Sequence, residues 1–160
     1  MLDIDEMGQK EIRSFLEKIG YCHLGYIHEG KPYVMPMDYY LEDSDIYLFT
    51  TEGMKTHDID LSPEICLQVE DIHSSLHWSS VIVTGRAERL TIKQDIDRIM
   101  QLIKERNPTL SPAINRTWID SWGRAEVIII YRIYPGEMSG RTTDGISSLN
   151  KAENLKELVQ

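Results

Sequence analysis

Three strand-forming segments follow one another between residues 21 and 51, and they limit the fold more than any other feature of the sequence. Residues 21–27, 33–41 and 46–51 are rich in aromatic and β-branched residues, and only the short polar stretches HEGKP and EDSD separate them. Connections this short place consecutive strands side by side in opposite directions. The segment therefore predicts an antiparallel meander.

The remainder of the chain alternates between helical and strand patterns. Apolar residues recur at helical spacing in some segments, and alternating or continuous apolar runs mark further strands. The predicted helices span 9–19, 54–61 and 93–106, and the predicted strands span 65–70, 79–90 and 126–134, with a polar loop at 71–76 and a last helical turn near 155–158. The pattern predicts a mainly β fold with flanking helices, a six-stranded antiparallel barrel. It forms one domain, residues 1–160, with a core at about 7–140 and a polar tail at 141–160.

Length and composition narrow the class of protein. The chain has 160 residues, the size of one ordinary domain, and no apolar stretch approaches the roughly 18 residues that a spanning helix needs. The acidic start MLDIDE is unlike a signal peptide, and two cysteines, Cys22 and Cys66, are too few for a disulfide framework. We therefore expect a cytoplasmic protein that does not enter the membrane.

Positive charge is scarce in the first half of the sequence. Residues 1–80 carry 5 Lys or Arg against 16 Asp or Glu, and Lys55 is the only cation between Lys31 and Arg86. A nucleic-acid surface needs clustered basic residues that displace counterions from phosphates, so the charge pattern argues against nucleic-acid binding. One isolated cation can still hold one small anion, which makes Lys55 a candidate binding residue.

Other catalytic and metal-binding templates are absent from the sequence. It contains no glycine-rich dinucleotide or phosphate-binding loop and no Gly-x-Ser-x-Gly elbow. His73 and His77 are four residues apart, but they fall in the predicted loop, and Ser74 stands where the His-Glu-x-x-His motif needs glutamate. We predict no metal site, and the sequence identifies no catalytic residue.

The segment from Pro32 to Thr56 carries the strongest indication of a ligand. Pro36 interrupts a strand whose ladder it cannot support, which indicates an edge, a bulge or a backbone that faces a ligand. Thr50 and Thr51 end the third strand, and Lys55 then lies at a helix start, where free N–H groups favour a phosphate. On these residues alone, a solvated surface Lys55 and an edge-strand Pro36 remain open alternatives.

Four stretches resemble one known family in their order and spacing. They are GKPYVMPM at 30–37, IYLFT at 46–50, KTHDIDLSP at 55–63 and SSVIVTGRAERL at 79–90. Together they resemble the flavin-binding split β-barrels of the pyridoxamine 5′-phosphate oxidase-like family, especially its nitroimidazole-resistance reductase branch. The resemblance covers about residues 7–140. It implies a six-stranded antiparallel split barrel. It also implies a homodimer whose two subunits bind two FMN molecules at their shared interface.

Carried over position by position, the resemblance implies a flavin site built by both subunits. The implied residues are Val34, Met35, Pro36, Met37 and Asp38 with Thr50 and Thr51 along the ring and ribityl chain, Met54, Lys55 and Thr56 at the phosphate, and Trp78, Ser79 and Ser80 from the partner subunit. Met54 stands where the family often has a second cation. The resemblance therefore implies that Lys55, Thr56 and the helix N-terminus make more of the contacts to the phosphate. Asp38 accepts from N3–H of the flavin if it faces the ring; the alternative is a solvent-facing strand residue.

The ending of the chain separates it from the oxidases of vitamin B6. Those enzymes end in a Trp- and Arg-bearing segment, whereas residues 133–141 are IYPGEMSGR, which resembles the smaller branch. Thr50 also stands where some nitroimidazole-resistance members have a histidine. The resemblance therefore implies an FMN-dependent oxidoreductase that reduces a small organic acceptor. It does not imply oxidation of vitamin B6. The alternative is a split barrel that binds flavin or haem without turnover.

Overall fold

The computed structural model describes residues 2–106 and 128–145, and their strands form one antiparallel sheet that closes on itself. The elements are β1 (Asp5–Glu6), α1 (Gln9–Ile19), β2 (Tyr21–His28), β3 (Lys31–Glu42), β4 (Asp45–Thr51), α2 (Met54–Leu61), β5 (Glu64–Ser74), β6 (His77–Arg89), α3 (Lys93–Arg106) and β7 (Ile128–Thr142). The strand order is β1-β7-β4-β3-β2-β5-β6, and β6 also pairs with β7. This last pairing closes six strands into a barrel, and β1 adds a short seventh strand beside β7.

The strand β7 closes the barrel because it pairs with two neighbours along its length. Its first residues pair with β4, ending at Ile46↔Ile133, and the part from Tyr131 to Thr142 pairs with β6. The two pairings overlap at Tyr131, Arg132 and Ile133, so the central part of β7 is bonded on both edges. A strand bonded on both sides has no free edge there, which favours a closed sheet.

A bulge lets β6 and β7 stay paired as the barrel curves. The register shifts between Val83 and Gly85, and the Thr84 hydroxyl accepts the Glu137 N–H at 3.2 Å. At Gly85 the two backbones come so close that an added Cβ would lie 2.6 Å from the Tyr134 carbonyl oxygen. Only glycine fits that contact without a backbone shift.

The helix α1 packs its apolar side into the main core, as its spacing predicts. Ile12 and Leu16 are at most 2% exposed and belong to the same cluster as the inward side chains of the strands. The helix ends at Gly20, whose φ of 78° is left-handed. The hydroxyl of buried Tyr39 donates to the Leu16 carbonyl and accepts the Gly20 N–H at 3.1 Å, which ties the helix end to β3.

The helix α3 covers a second, smaller core on the outside of the barrel. Ile99 and Ile103 pack with Tyr47 and Phe49 of β4 and with Ile130 of β7. This confirms the apolar face predicted for the segment. Within residues 2–106 and 128–145, no helix is long and apolar enough to cross a membrane.

The predicted fold class is confirmed, and the differences are the added strand β1 and the ends of the other strands. The three helices have the predicted bounds, but the polar loop predicted at 71–76 is wrong, since β5 runs to Ser74 and β6 begins at His77. The backbones of the two strands continue their hydrogen bonding beyond the last buried side chain, so apolar alternation underestimates strand length. Residues 126–127 of the last predicted strand and the helical turn near 155–158 lie outside the described residues.

We expect Gly85→Ala to lower the free energy of unfolding by about 1–3 kcal/mol, because the new Cβ overpacks a backbone carbonyl. The matched control is Gly136→Ala, whose added Cβ would meet its nearest atom, the Thr84 carbonyl oxygen, at an ordinary 3.5 Å. Urea denaturation of both variants measures the difference. Equal losses in the two variants would contradict the assigned bulge geometry.

Candidate functional site

The ladder between β3 and β4 is incomplete, and the sheet opens beside the predicted ligand residues. The two strands pair only from Tyr39↔Leu48 towards the turn that connects them. The earlier part of β3, up to Asp38, pairs with β2 on its other edge, and the end of β4 pairs with β7. One edge of each strand therefore presents backbone N–H and C=O groups that no described ladder uses.

The five predicted residues of β3 do not form one wall, because successive side chains point to opposite faces of the sheet. Met35 and Met37 pack with the main core. Val34 and Pro36 face outwards, and Val34 is 70% exposed because its neighbour on β2 is Gly25. Val34 and Pro36 are therefore the accessible side chains of this part of β3.

Asp38 is fully buried, so the solvent-facing alternative for this residue is wrong. It is the last residue of β3 paired with β2, and the next residue, Tyr39, begins the pairing with β4. Burial, and then the negative charge of Asp38, raise the pKa of the Cys22 thiol. The carboxylate thus lies inside the protein at the point where the sheet opens.

Thr50 and Thr51 lie on the part of β4 that β3 does not cover. Thr50 is buried, Thr51 is half-buried, and they pair with Ile129 and Ile128 of β7. The backbone edge of these two residues that does not pair with β7 faces the break between β3 and β4. The structure therefore brings residues 50–51 and the exposed part of β3 to the same break in the sheet.

The first turn of α2 follows β4 directly and carries the predicted phosphate residues. Gly53 is the N-cap, and its N–H donates to the Thr56 hydroxyl at 3.0 Å. That hydroxyl in turn donates to Glu52 Oε1 at 2.6 Å, and Thr56 is fully buried. The Thr56 hydroxyl is therefore occupied in holding the start of the helix rather than open to a ligand.

Lys55 is half-buried beside this turn, and Met54 projects into solvent. No carboxylate of the described residues lies within 4.0 Å of the Lys55 ammonium, although Lys93 and the arginines Arg86, Arg89 and Arg98 all form ion pairs. Burial lowers the pKa of Lys55. A half-buried cation at a helix start that forms no ion pair with a described carboxylate favours an anion from outside the chain.

Sequence reasoning missed a second cation at the same helix. Arg89, the last residue of β6, donates to Glu52 Oε2 at 2.8 Å and to Asp60 Oδ2 at 2.7 Å. Hydrogen bonds from Arg89 first, and then from Thr56, lower the pKa of Glu52 to about 2. Only the fold brings Arg89 to Glu52, 37 residues earlier in the chain, so no local signal could have found the pair.

A groove of about 590 Å³ lies along the outside of β6 and β7. Its lining is Glu6, Met7, Gln9, Trp78, Ser80, Ile82, Met138, Ser139, Gly140 and Arg141. This lining includes Trp78 and Ser80, two of the three residues that the resemblance implies from the partner subunit. Ser79 does not line the groove, since its hydroxyl lies 2.8 Å from that of Thr142 on β7. Arg141 is a lining cation that the sequence did not single out.

The two sets of candidate residues lie at opposite ends of β6. Trp78 is at its start, whereas Arg89, which is bonded to the first turn of α2, is at its end. Ten residues of extended strand lie between Trp78 and Arg89, which are therefore on the order of 30 Å apart. A single chain therefore does not bring the groove and the start of α2 together.

The two histidines considered for a metal have separate partners. His73 Nε2 lies 3.1 Å from Asp71 Oδ2, and His77 Nδ1 lies 3.1 Å from Asp144 Oδ1. Among residues 2–106 and 128–145, no group of three or more His, Cys, Asp or Glu side chains is placed to hold a metal ion.

Comparisons with known proteins identify the family. The model of the pyridoxamine 5′-phosphate oxidase family matches residues 8–142, so the chain belongs to this family. An uncharacterised protein of Rhizobium meliloti (strain 1021) is 27% identical over 88 residues, which are 55% of this chain and 58% of that relative. The chain thus matches little more than half the length of this curated relative.

Solved structures share the fold. An FAD-binding protein from Mesorhizobium loti is similar with a TM-score of 0.68 and 23% identity, over 89% of this chain and 98% of that one. A candidate 5-nitroimidazole antibiotic resistance protein from Bacteroides thetaiotaomicron is similar with a TM-score of 0.65 and 17% identity, over 88% and 89%. The resemblance noted in the sequence is therefore confirmed, and the residues that the structure describes form seven strands in place of six.

We expect Thr56→Val to lower the free energy of unfolding by about 1 kcal/mol, because it removes a buried hydroxyl that accepts the Gly53 N–H. Thr56→Ser, which keeps the hydroxyl, is the control and should retain most of the stability. Thermal or urea unfolding distinguishes them. A Val variant as stable as the Ser variant would show that the cap contributes nothing.

Proposed function

We propose that the protein is a homodimeric FMN-dependent oxidoreductase that reduces a small organic acceptor with electrons from an external donor. The observation that carries the proposal is Lys55, a half-buried ammonium at the start of α2 with no carboxylate of the described residues within 4.0 Å. Such a position leaves the positive charge available for the phosphate of a flavin. When bound, the flavin supplies the electron transfer, and the protein supplies binding and orientation.

The break between β3 and β4 offers a place for the flavin ring. Backbone N–H and C=O groups on these two edges, which no ladder of the described residues uses, can donate to and accept from the polar edge of an isoalloxazine, as the strands do for each other elsewhere. Val34 and Pro36 present apolar surface on the exposed side of β3, where a planar ring can pack. The buried Asp38 adds an acceptor at the closed end of the break.

A single phosphate matches the charge available better than a diphosphate does. Lys55 is the one cation at the start of α2 that is not already held by a carboxylate of the described residues, since Arg89 is bound by Glu52 and Asp60. We therefore propose FMN as the cofactor, although the similar Mesorhizobium loti protein is described as FAD-binding. FAD carries a second phosphate, for which this end of the protein offers no second free cation among the described residues.

The proposed dimer joins the two separated halves of the site. One protomer contributes β3, β4 and the start of α2, and its partner contributes the groove with Trp78 and Ser80. Outward side chains of β3, β2, β5 and β6 form an outer face whose central row is uncharged, namely Pro36, His23, Gln68 and Ile82 in register. Val34 and Cys66 flank the row on one side, and on the other side the Glu70 carboxylate accepts the Gln68 amide at 2.9 Å. In a chain that is 27% charged, such a surface favours a protein interface, whose core is depleted of charge.

We also propose a cytoplasmic location. Cys22 and Cys66 are both free thiols in the structure. Free thiols persist where the surroundings are reducing, as they are in the cytoplasm.

We expect Lys55→Met to weaken FMN binding by about tenfold or more, because it removes the charge that meets the phosphate. Binding of riboflavin, which lacks the phosphate, should stay the same. The matched control is Lys31→Met, an exposed lysine on β3. Calorimetric or fluorescence titration measures both ligands, and an unchanged FMN affinity would remove Lys55 from the site.

FMN affinity should also fall as the pH rises through the lowered pKa of Lys55, while riboflavin affinity stays constant over the same range. Burial makes the Lys55 ammonium lose its proton at a lower pH than an ordinary lysine does. The neutral amine then attracts the phosphate less. Parallel pH titrations of FMN and riboflavin binding test this, and identical curves for the two ligands would contradict it.

We expect Ile82→Glu to give a monomer that has lost FMN binding, because it places a charge at the β6 end of the outer face. Ile82 is 46% exposed, and the control Ile92→Glu changes a residue that is 62% exposed and outside that face. Size-exclusion chromatography with light scattering gives the mass of each variant. A monomeric variant that binds FMN as tightly as the unmodified protein would rule out a site shared by two chains.

A further inference from the structure

One guanidinium is bonded to both ends of α2. Arg89 donates to Glu52, the residue before the N-cap, at 2.8 and 3.2 Å, and to Asp60 in the last turn at 2.7 and 3.3 Å. The side chain of Arg89 is about one quarter exposed, so these bonds are partly shielded from water. Bonds of this kind between a forked cation and carboxylates fix geometry as well as charge.

The Arg89 side chain is itself held by the barrel. Arg89 is the register partner of Tyr131 on β7, and its guanidinium lies 5.7 Å from the centre of that ring. The buried Tyr131 hydroxyl lies 2.8 Å from Asp60 Oδ1 and 3.0 Å from the Thr56 carbonyl oxygen. The position of α2 is therefore set by two strands of the closed sheet rather than by the helix alone.

A chain of hydrogen bonds runs from Arg89 to the first turn of α2. Arg89 holds Glu52, Glu52 accepts the Thr56 hydroxyl, and that hydroxyl accepts the Gly53 N–H. The orientation of the turn that carries Lys55 thus depends on where Arg89 places the Glu52 carboxylate.

Arg89 also balances the charge of Glu52. The Glu52 carboxylate is directly before the helix N-terminus, where a phosphate would otherwise find only positive potential. Without Arg89, this carboxylate would be an unbalanced anion beside Lys55, and it would repel an incoming phosphate. The single positive charge of Lys55 cannot offset both the Glu52 carboxylate and a phosphate.

We propose that Arg89 is a positioning residue for phosphate recognition: it holds and neutralises Glu52, so that the start of α2 and Lys55 accept a phosphate monoester. The inference rests on the proposed flavin site, because it concerns the phosphate end of that ligand. Arg89 acts through Glu52 and does not itself contact the phosphate.

The test compares FMN with riboflavin, which differ by the phosphate alone. Arg89→Met should weaken FMN binding by roughly tenfold or more and leave riboflavin binding within about twofold. Adding Glu52→Gln to Arg89→Met removes the unbalanced anion and should recover most of the lost FMN affinity. The matched control is Arg86→Met on the same strand, where Arg86 makes one exposed ion pair at 3.3 Å, and both affinities should stay unchanged.

A purely structural role predicts a different result. Arg89→Met would then lower the melting temperature while the ratio of FMN to riboflavin affinity stays the same, which would overturn the inference. If Arg89→Met does not fold, Arg89→Lys keeps the charge but cannot bind two carboxylates with a planar fork. A selective loss of FMN affinity in Arg89→Lys supports the inference, and an unchanged ratio overturns it.

The same titrations separate this inference from the proposed function. An unmodified protein that binds neither FMN nor riboflavin overturns the flavin site and the inference that rests on it. An unmodified protein that binds FMN, with an Arg89→Met variant that binds it equally well, overturns only the role of Arg89.

Discussion

The double pairing of β7 is the interaction on which the rest of the structure depends. By bonding β4 through its first half and β6 through its second, β7 closes the sheet and fixes the ends of both neighbours. The same strand supplies Tyr131, which meets Arg89 and the middle of α2. The position of the helix that carries Lys55 is thus a consequence of barrel closure.

The divergence of β3 and β4 opens the sheet at the candidate site. Beyond Tyr39↔Leu48 the end of β4 stays paired with β7 and the first part of β3 stays paired with β2, and no described ladder joins the two strands there. The two edges at this break can bond a ligand, because their backbone N–H and C=O groups take part in no ladder of the described residues. The proposed flavin would occupy the break and bond these edges.

The sequence predicted the elements well wherever a local signal marks them. Apolar periodicity and Gly20 locate α1, and the bounds of α2 and α3 also agree. Strand ends were less accurate, because the hairpin of β5 and β6 extends on backbone hydrogen bonds that leave no apolar pattern. Lys55 was identified by the scarcity of cations around it in the sequence, and its role at the phosphate stays a prediction.

Features that depend on long-range contacts could not be predicted from the sequence. The roles of Arg89 and Glu52 arise only when β6 and α2 meet, and the inward phase of Arg89 at the end of β6 is visible only in the register with Tyr131. The predicted flavin-binding residues 34–38 do not form one surface, because successive side chains of β3 point to opposite faces of the sheet. Ser79 likewise turned away from the groove that its neighbours line.

Sedimentation of the unmodified protein with added FMN distinguishes a flavin site shared by two chains from a site within one chain, because visible absorbance reports the flavin and the sedimentation rate reports the mass of the species that carries it. We expect the flavin absorbance to sediment with the dimer, at one FMN for each chain. Flavin that stays unbound, or that sediments with a monomer, would contradict a flavin site shared by two copies of this chain.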